Sequence, residues 1–296
     1  MKRLAYLAMS AAVLGGAVFW AVTSPKMVDP KLFAGLEPDV AHGEVVFTAA
    51  GCASCHMAPG AEGAAKLQLV GGQEFASDFG TFLAPNITPD PVHGIGGWGV
   101  LDLANAIMMG VSPDGAHYFP ALPYWSYERM EPQDVVDLHA YLMTLPPVAT
   151  PSQPHKVGFP FNIRRMVGGW KFLNMRPEVV VDGQLSDAEA RGRYIAEALA
   201  HCGECHTPRD PLGGLKLGSW LSGAPNPTGQ GKIPNITPGA LTWSEDEIVE
   251  YLTSGFTPEF DSVGGHMAHV VENMARLPEE DRRAVAAYLK KVAAVQ

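Results

Sequence analysis

The sequence is short of charge and shorter still of cysteine. Only 18% of its 296 residues are Asp, Glu, Lys or Arg, and the formal net charge is −10. A surplus of that sign excludes a nucleic-acid-binding face, which needs clustered positive charge. It leaves room for docking to a basic partner. There is no Gly-rich phosphate loop, no Ser/His/Asp set and no paired-carboxylate hydrolase site. Four cysteines in a chain of this length do not form the framework of a disulfide-stapled domain.

Those four cysteines fall in two pentapeptides, Cys52-Ala53-Ser54-Cys55-His56 and Cys202-Gly203-Glu204-Cys205-His206. A lone C-x-x-C is ambiguous between a redox dithiol and half a zinc site. Here His follows each pair at once, the motif occurs twice, and no cysteine is left over. A thioredoxin-like pair would need a βαβ context that is absent. A zinc cluster would need motifs 150 residues apart to share one ion. C-x-x-C-H is the mark of covalent c-type haem attachment. Cys52 and Cys55, and Cys202 and Cys205, are expected to form thioethers to two haem c groups. His56 and His206 are expected as proximal iron ligands.

The N-terminus is basic (Lys2, Arg3) and runs into an uncharged stretch from Leu4 to Val22. A positive n-region before an apolar run means export. The run approaches the ~20 residues a spanning helix needs, its small-x-small cleavage pattern is poor, and Phe19 and Trp20 suit the outer membrane interface. A retained anchor is therefore expected, with a cleaved signal as the alternative. Both put the rest of the chain outside the cytoplasm.

Landmarks beyond the haem motifs also recur, at an offset of 145–150 residues. His42-Gly43-Glu44-Val45-Val46-Phe47 precedes the first motif and Arg191-Gly192-Arg193-Tyr194-Ile195 the second. Asn86-Ile87-Thr88-Pro89 recurs as Asn235-Ile236-Thr237-Pro238, and Trp98 as Trp243. Helices are predicted over 101–109 and 246–254, closed by Gly110 and Gly255. Last helices are predicted over 132–145 and 279–295, carrying Ala140-Tyr141-Leu142 and Ala287-Tyr288-Leu289. This is a duplicated unit. The expected division is an anchor or signal at 1–24, a first domain at 38–150, an ordered strap at 151–185 and a second domain at 186–296. The strap is rich in proline and aromatics, with a short helix expected over 164–172.

A c-type haem in an electron carrier usually takes a sixth ligand, often methionine sulfur. In the second half Met267, after Gly264-Gly265-His266, is the expected distal ligand, and Met274 is the runner-up. The first half has Leu122 where a ligand is expected, and leucine cannot bind iron. Met130 is the favoured assignment there. Met108, Met109, His93 and His117 are alternatives, as is a five-coordinate iron. Trp98 and Trp243 are either propionate donors or edge-of-core residues. Asn86 and Asn235 either bind propionate or cap their turns. Arg209 either offsets propionate charge or is solvated.

Taken together, these elements resemble the membrane-associated multihaem cytochrome c subunits of bacterial periplasmic alcohol, aldehyde and gluconate dehydrogenases. The likeness covers roughly residues 38–296. It rests on the two haem motifs, Asn86-Ile87-Thr88-Pro89-Asp90, Gly96-Gly97-Trp98, Gly110-Val111-Ser112-Pro113-Asp114-Gly115, Phe119-Pro120-Ala121-Leu122-Pro123-Tyr124 and Cys205-His206-Thr207-Pro208-Arg209. The resemblance implies a mainly α fold: two tandem class I cytochrome c domains, small and all-helical, with an N-terminal transmembrane helix. It implies a diheme carrier on the periplasmic side of the inner membrane, taking single electrons from a dehydrogenase subunit. The acceptor would be quinone, a cytochrome or a terminal oxidase. The chain departs from the group in having two haem domains where many members have three, and Leu122 where relatives often have Met. The alternatives are a diheme enzyme of the cytochrome c peroxidase type and a cytochrome subunit of a terminal oxidase.

Overall fold

The computed structural model describes residues 2–227 and 231–296. Its first element, α1 (Lys2–Val22), has no buried residue. The chain then makes a 3-10 turn at Pro30–Phe33, which Asp29 caps by accepting from Lys31 N, before the first repeated unit begins. That unit comprises α2 (Val40–Ala49), α3 (Cys52–His56), an antiparallel hairpin of β1 (Glu74–Ser77) and β2 (Gly80–Leu83), α4 (Val100–Met109), a single turn α5 (Tyr124–Tyr127) and α6 (Pro132–Leu142). A connecting helix α7 (Arg164–Asn174) follows. The second unit has α8 (Asp187–Tyr194), α9 (Cys202–His206), the short pair β3 (Ala224–Pro225) and β4 (Lys232–Ile233), α10 (Glu245–Ser254), α11 (Met267–Arg276) and α12 (Glu279–Lys291). The sheet content is limited to these two hairpins among the described residues, and the architecture is mainly helical.

Local chemistry explains the helix ends. Asp39 accepts from Ala41 N and His42 N at the start of α2. Ser186 with Glu189, and Ser244 with Glu247, form reciprocal capping boxes at α8 and α10. Gly110 and Gly255 close α4 and α10 in the left-handed conformation, at φ 59° and 77°, which glycine adopts without a Cβ penalty.

In each unit the first and last helices cross at a glycine. A Cβ on Gly43 would lie 2.1 Å from the Asp137 carbonyl oxygen, and one on Gly192 would lie 1.8 Å from that of Ala284. Phe47 packs on Tyr141 beside the first crossing, their rings 5.1 Å apart. Tyr288 is fully buried beside the second. Val46, Leu103 and Leu138 in the first unit join Ile195, Ile248 and Val285 in the second, in one continuous apolar cluster.

The last helices are shorter than the sequence pattern suggests, ending at Leu142 and Lys291. The repeated Asn-Ile-Thr-Pro turns account for this. Asn86 Nδ2 donates to the Val148 and Thr150 carbonyls, 2.8 Å each, and Asn235 Nδ2 to the Val295 carbonyl, 2.8 Å. The chain leaves each helix to meet these amides.

The connecting segment is tied to both units. Lys171 Nζ donates to the Met109 and Gly110 carbonyls, and the Asn174 carbonyl accepts from Trp125 Nε1. Further along, Val180 N and Val181 N donate to the fully buried carboxylate of Glu197 at 2.7 and 3.0 Å. Glu197 sits in a π-helical turn, Ile195–Leu199, that continues α8. Tyr288 Oη also donates to it at 2.7 Å.

Candidate haem sites

Each C-x-x-C-H forms one short helical turn, α3 or α9, entered through a left-handed residue. In the first copy that residue is Gly51, at φ 64°. In the second it is His201, at φ 43°, where a side chain costs on the order of 1 kcal/mol or more. The turn places the two cysteines three residues apart on one face.

The histidines are fixed alike. His56 Nδ1–H donates to the Pro85 carbonyl at 2.8 Å and His206 Nδ1–H to that of Pro234 at 2.8 Å. A carbonyl can only accept, so each ring carries its proton on Nδ1 and its lone pair on Nε2, which has no hydrogen-bond partner among the described residues. Burial pushes both imidazoles below their ordinary value, against those carbonyl bonds, which favours a neutral ligand. The thiols are pushed the other way by burial: Cys52 to about 12, Cys55 to about 11 and Cys202 to about 12. A disulfide oxidoreductase needs a depressed thiol, and burial moves these thiols in the opposite direction.

The surroundings fit a haem at each turn. Cys52, Cys202, Trp98, Trp243, Leu122 and Met267 line one apolar cluster, half-buried. Tyr124 Oη and Ser126 Oγ are buried without a partner among the described residues. These are polar atoms of the kind that a porphyrin carboxylate can satisfy.

The candidate distal residues are placed as follows. Met130 is buried between α5 and α6. Met267 is half-buried and opens α11, so it belongs to a helix where the sequence suggested a loop. Met274 is buried in the core two turns further on, and Met108 is buried in α4. Met109 is half-buried, and His93 sits in the turn that Asp90 caps. His117 is committed elsewhere. Its Nε2–H donates to the Thr23 carbonyl at 2.9 Å, and Lys171 Nζ lies 3.2 Å from Nδ1. Leu122 lines a small cleft with Trp125, Trp170, Glu204 and Arg209, and so faces the second motif. Arg209 pairs with Glu204 and donates to the Gly213 carbonyl. Asn86 and Asn235 accept from Thr88 N and Thr237 N at 2.8 Å each, so they cap their turns.

The two attachment turns face one another, an arrangement not evident from the sequence. Burial first, and then the neighbouring Cys205 thiol, push the free Cys55 thiol up. Tyr127 Oη donates to the Ala50 carbonyl at 2.9 Å, and its ring meets the His201 ring edge-on at 5.6 Å. Trp125 packs on Trp220, their rings 5.8 Å apart. In return α11 of the second unit reaches the first motif, where Asn273 Nδ2 donates to Ser54 Oγ at 3.0 Å and Lys66 pairs with Glu272. One signal was present: His201 breaks the repeat at the position of Gly51.

The sequence matches the cytochrome c family over residues 40–146 and 180–293. The chain belongs to the cytochrome c family. It is 54% identical to a protein named diheme cytochrome c-type from Cereibacter sphaeroides, over the whole of both chains. It is 36% identical to the fructose dehydrogenase cytochrome subunit of Gluconobacter japonicus, over 87% of this chain and 53% of that one. It is 35% identical to the alcohol dehydrogenase (quinone) cytochrome c subunit of Gluconobacter oxydans, over 86% and 55%. The chain thus spans about half the length of the two dehydrogenase subunits. Two family units and two attachment motifs give a diheme c-type cytochrome with two covalently bound haem c groups, whose work is electron transfer. Neither the peroxidase-type nor the oxidase-subunit alternative is favoured by these relatives.

Proposed function

We propose that this chain is a membrane-anchored electron relay on the periplasmic side of the inner membrane. It takes single electrons from a dehydrogenase subunit and passes them to quinone, a cytochrome or a terminal oxidase. The proposed division is an anchor at 1–24, haem units at 38–150 and 186–296, and a strap at 151–185. In this reading Cys52, Cys55, Cys202 and Cys205 hold two haems, His56 and His206 are proximal ligands, and Met267 and Met130 are distal ones.

The observation that carries the reading is the pair of matched turns, each with its histidine locked by a carbonyl, packed face to face across one interface. Haem supplies one-electron redox chemistry when bound. The protein's part is positional. The Pro85 and Pro234 carbonyls orient the rings, the apolar cluster keeps water away, and the interface between the units fixes the distance an electron must cross. The dehydrogenase donor is suggested by the relatives named for fructose and alcohol dehydrogenases.

The retained anchor is supported by how α1 ends. Thr23 is 1% exposed. Its carbonyl accepts from His117 and its hydroxyl from Arg165 Nε at 2.8 Å. Cleavage ahead of Thr23 would cut at the edge of the folded unit.

The test is spectroscopy and redox titration of the full holoprotein. Two one-electron waves are expected. The methionine-to-iron charge-transfer band should lose intensity in Met267→Ala and in Met130→Ala. A Met130→Ala variant with an unchanged first haem overturns that ligand. Robust peroxide turnover with a reduced donor overturns the relay.

A further inference from the structure

The connecting helix α7 carries an apolar surface for which electron transfer has no use. Phe159 is 82% exposed, Phe172 62%, Leu173 56% and Met166 50%, with Phe161 and Ile163 exposed beside them. On α7, Met166 and Leu173 are two turns apart and share a face with Gly169 and Phe172, while Val167, Gly168 and Lys171 turn inward. A soluble unit does not usually leave such a cluster uncovered.

The position of α7 relative to α1 indicates what covers it. The outer end of α1 is seated on α7. A Cβ on Gly168 would lie 2.5 Å from the Thr23 carbonyl oxygen, so only glycine allows this approach. The Arg165 guanidinium stacks 3.9 Å above the Trp20 ring and donates to the Trp20 carbonyl at 2.7 Å. Trp beside Arg is the chemistry of the headgroup layer. Charge points the same way. In a chain of net charge −10, residues 146–177 include Lys156, Arg164, Arg165, Lys171 and Arg176 and no Asp or Glu. Of these, Arg176 is exposed and Arg165 half-exposed, next to the apolar face.

We propose that α7 and the loop before it form a second membrane contact, an interfacial platform that rests in the anionic headgroup layer beside the α1 span. It rests on the anchor reading above. The platform sinks the Met166, Phe172 and Leu173 side chains about 5–10 Å below the surface, the depth usual for amphipathic interfacial helices. It restrains the tilt of both haem units relative to the bilayer, because α7 is hydrogen-bonded to the first unit through Lys171 and Trp125 and to the second through Trp170 Nε1, which donates to the Leu212 carbonyl at 2.9 Å.

The test is site-directed spin labelling of the full holoprotein in vesicles of phosphatidylethanolamine and phosphatidylglycerol. Single variants Phe172→Cys, Met166→Cys and Phe159→Cys are labelled and checked for retained haem absorbance. Val13→Cys reports the span, and Val92→Cys, 78% exposed on the first unit, reports water. The platform predicts that oxygen accessibility at 172 and 166 exceeds that of a water-soluble nickel chelate several-fold, with 159 at the boundary. Aqueous values at 172 and 166 with Val13 deep in the bilayer overturn the platform alone. An aqueous Val13 overturns the anchor and the platform together. Labels that are aqueous in vesicles and shielded only in native membranes assign the face to a protein partner, which also overturns the proposal.

Discussion

Replacing Gly192 by Ala should damage the second haem unit selectively. The added Cβ would lie 1.8 Å from the Ala284 carbonyl oxygen and 2.4 Å from its carbon. Ordinary contact needs about 3.4 Å, so α8 and α12 must separate by roughly 1.6 Å in an interior packed as densely as a crystal. The opposing atoms are helix backbone and cannot rotate away. Overpacking of this kind costs about 3 kcal/mol, while Ala in place of Gly in a helix returns about 1 kcal/mol. The net loss is ~2 kcal/mol, or a fall in melting temperature of about 10 °C for a unit of this size. The assay is thermal unfolding of the holoprotein, combined with hydrogen exchange resolved along the chain. Protection should fall in α8 and α12 and hold in α2 and α6. Gly218→Ala is the control: a Cβ there meets nothing within 4 Å, so its stability should stay within about 0.5 kcal/mol of the parent. A Gly192→Ala protein as stable as that control would refute the claim that the glycine crossing sets the helix packing.

Glu128 is pushed up to about 7 by burial, against the pull of Arg129. A carboxyl raised in this way contributes stability that is complete below its unfolded value and is lost as pH rises through about 7. Urea midpoints of the parent should therefore fall between pH 5 and pH 8, and Glu128→Gln should flatten that slope. Asp137 goes the other way. Burial raises it, but the Asp39 amide, the His42 ring and the Gln133 amide outweigh burial and hold it below its ordinary value. Its contribution is present above the ordinary aspartate value and is lost as pH falls through the depressed one. The stability gap between parent and Asp137→Asn should thus close in acid, and a gap constant from pH 3 to pH 7 would contradict this. Tyr127→Phe removes the hydrogen bond to the Ala50 carbonyl and should cost about 1 kcal/mol in equilibrium unfolding, with the haem spectra unchanged.

The attachment motifs, the duplication and the glycine stops of α4 and α10 were legible in the sequence because each rests on local chemistry. A C-x-x-C-H motif and a glycine that ends a helix act within a few residues. Contacts that join distant segments were not legible. Asn273 and Glu272 reach Ser54 and Lys66 across more than 200 residues of sequence, and no spacing rule relates such positions. The hairpin of β1 and β2 was missed because Glu74 to Ser77 lacks the alternating apolar pattern of a strand. Glu197 gave a signal in hindsight: a carboxylate inside the apolar run Ile195–Leu199 must find donors if it is buried. It finds two amides of the strap and the Tyr288 hydroxyl.

The two copies also differ in the chemistry that holds the same contact. At the helix crossing the first copy has His42 against Asp137, at 2.8 Å, with Asp134 at 3.8 Å. The second has Arg191 on Asp281 in a two-point pair of 2.8 and 2.9 Å. Arginine's planar fork meets a carboxylate at two points, whereas the imidazole offers it a single nitrogen. The same helix junction is thus held by a two-point contact in one unit and by a one-point contact in the other. Asp134 links them further, because it also accepts from Tyr194 Oη of the second unit at 2.5 Å. Asp134→Asn should therefore act on both halves, quickening hydrogen exchange in α6, which carries it, and in α8, which carries Tyr194. Exchange that quickens in α6 alone would show that the shared carboxylate has no energetic consequence for the second unit.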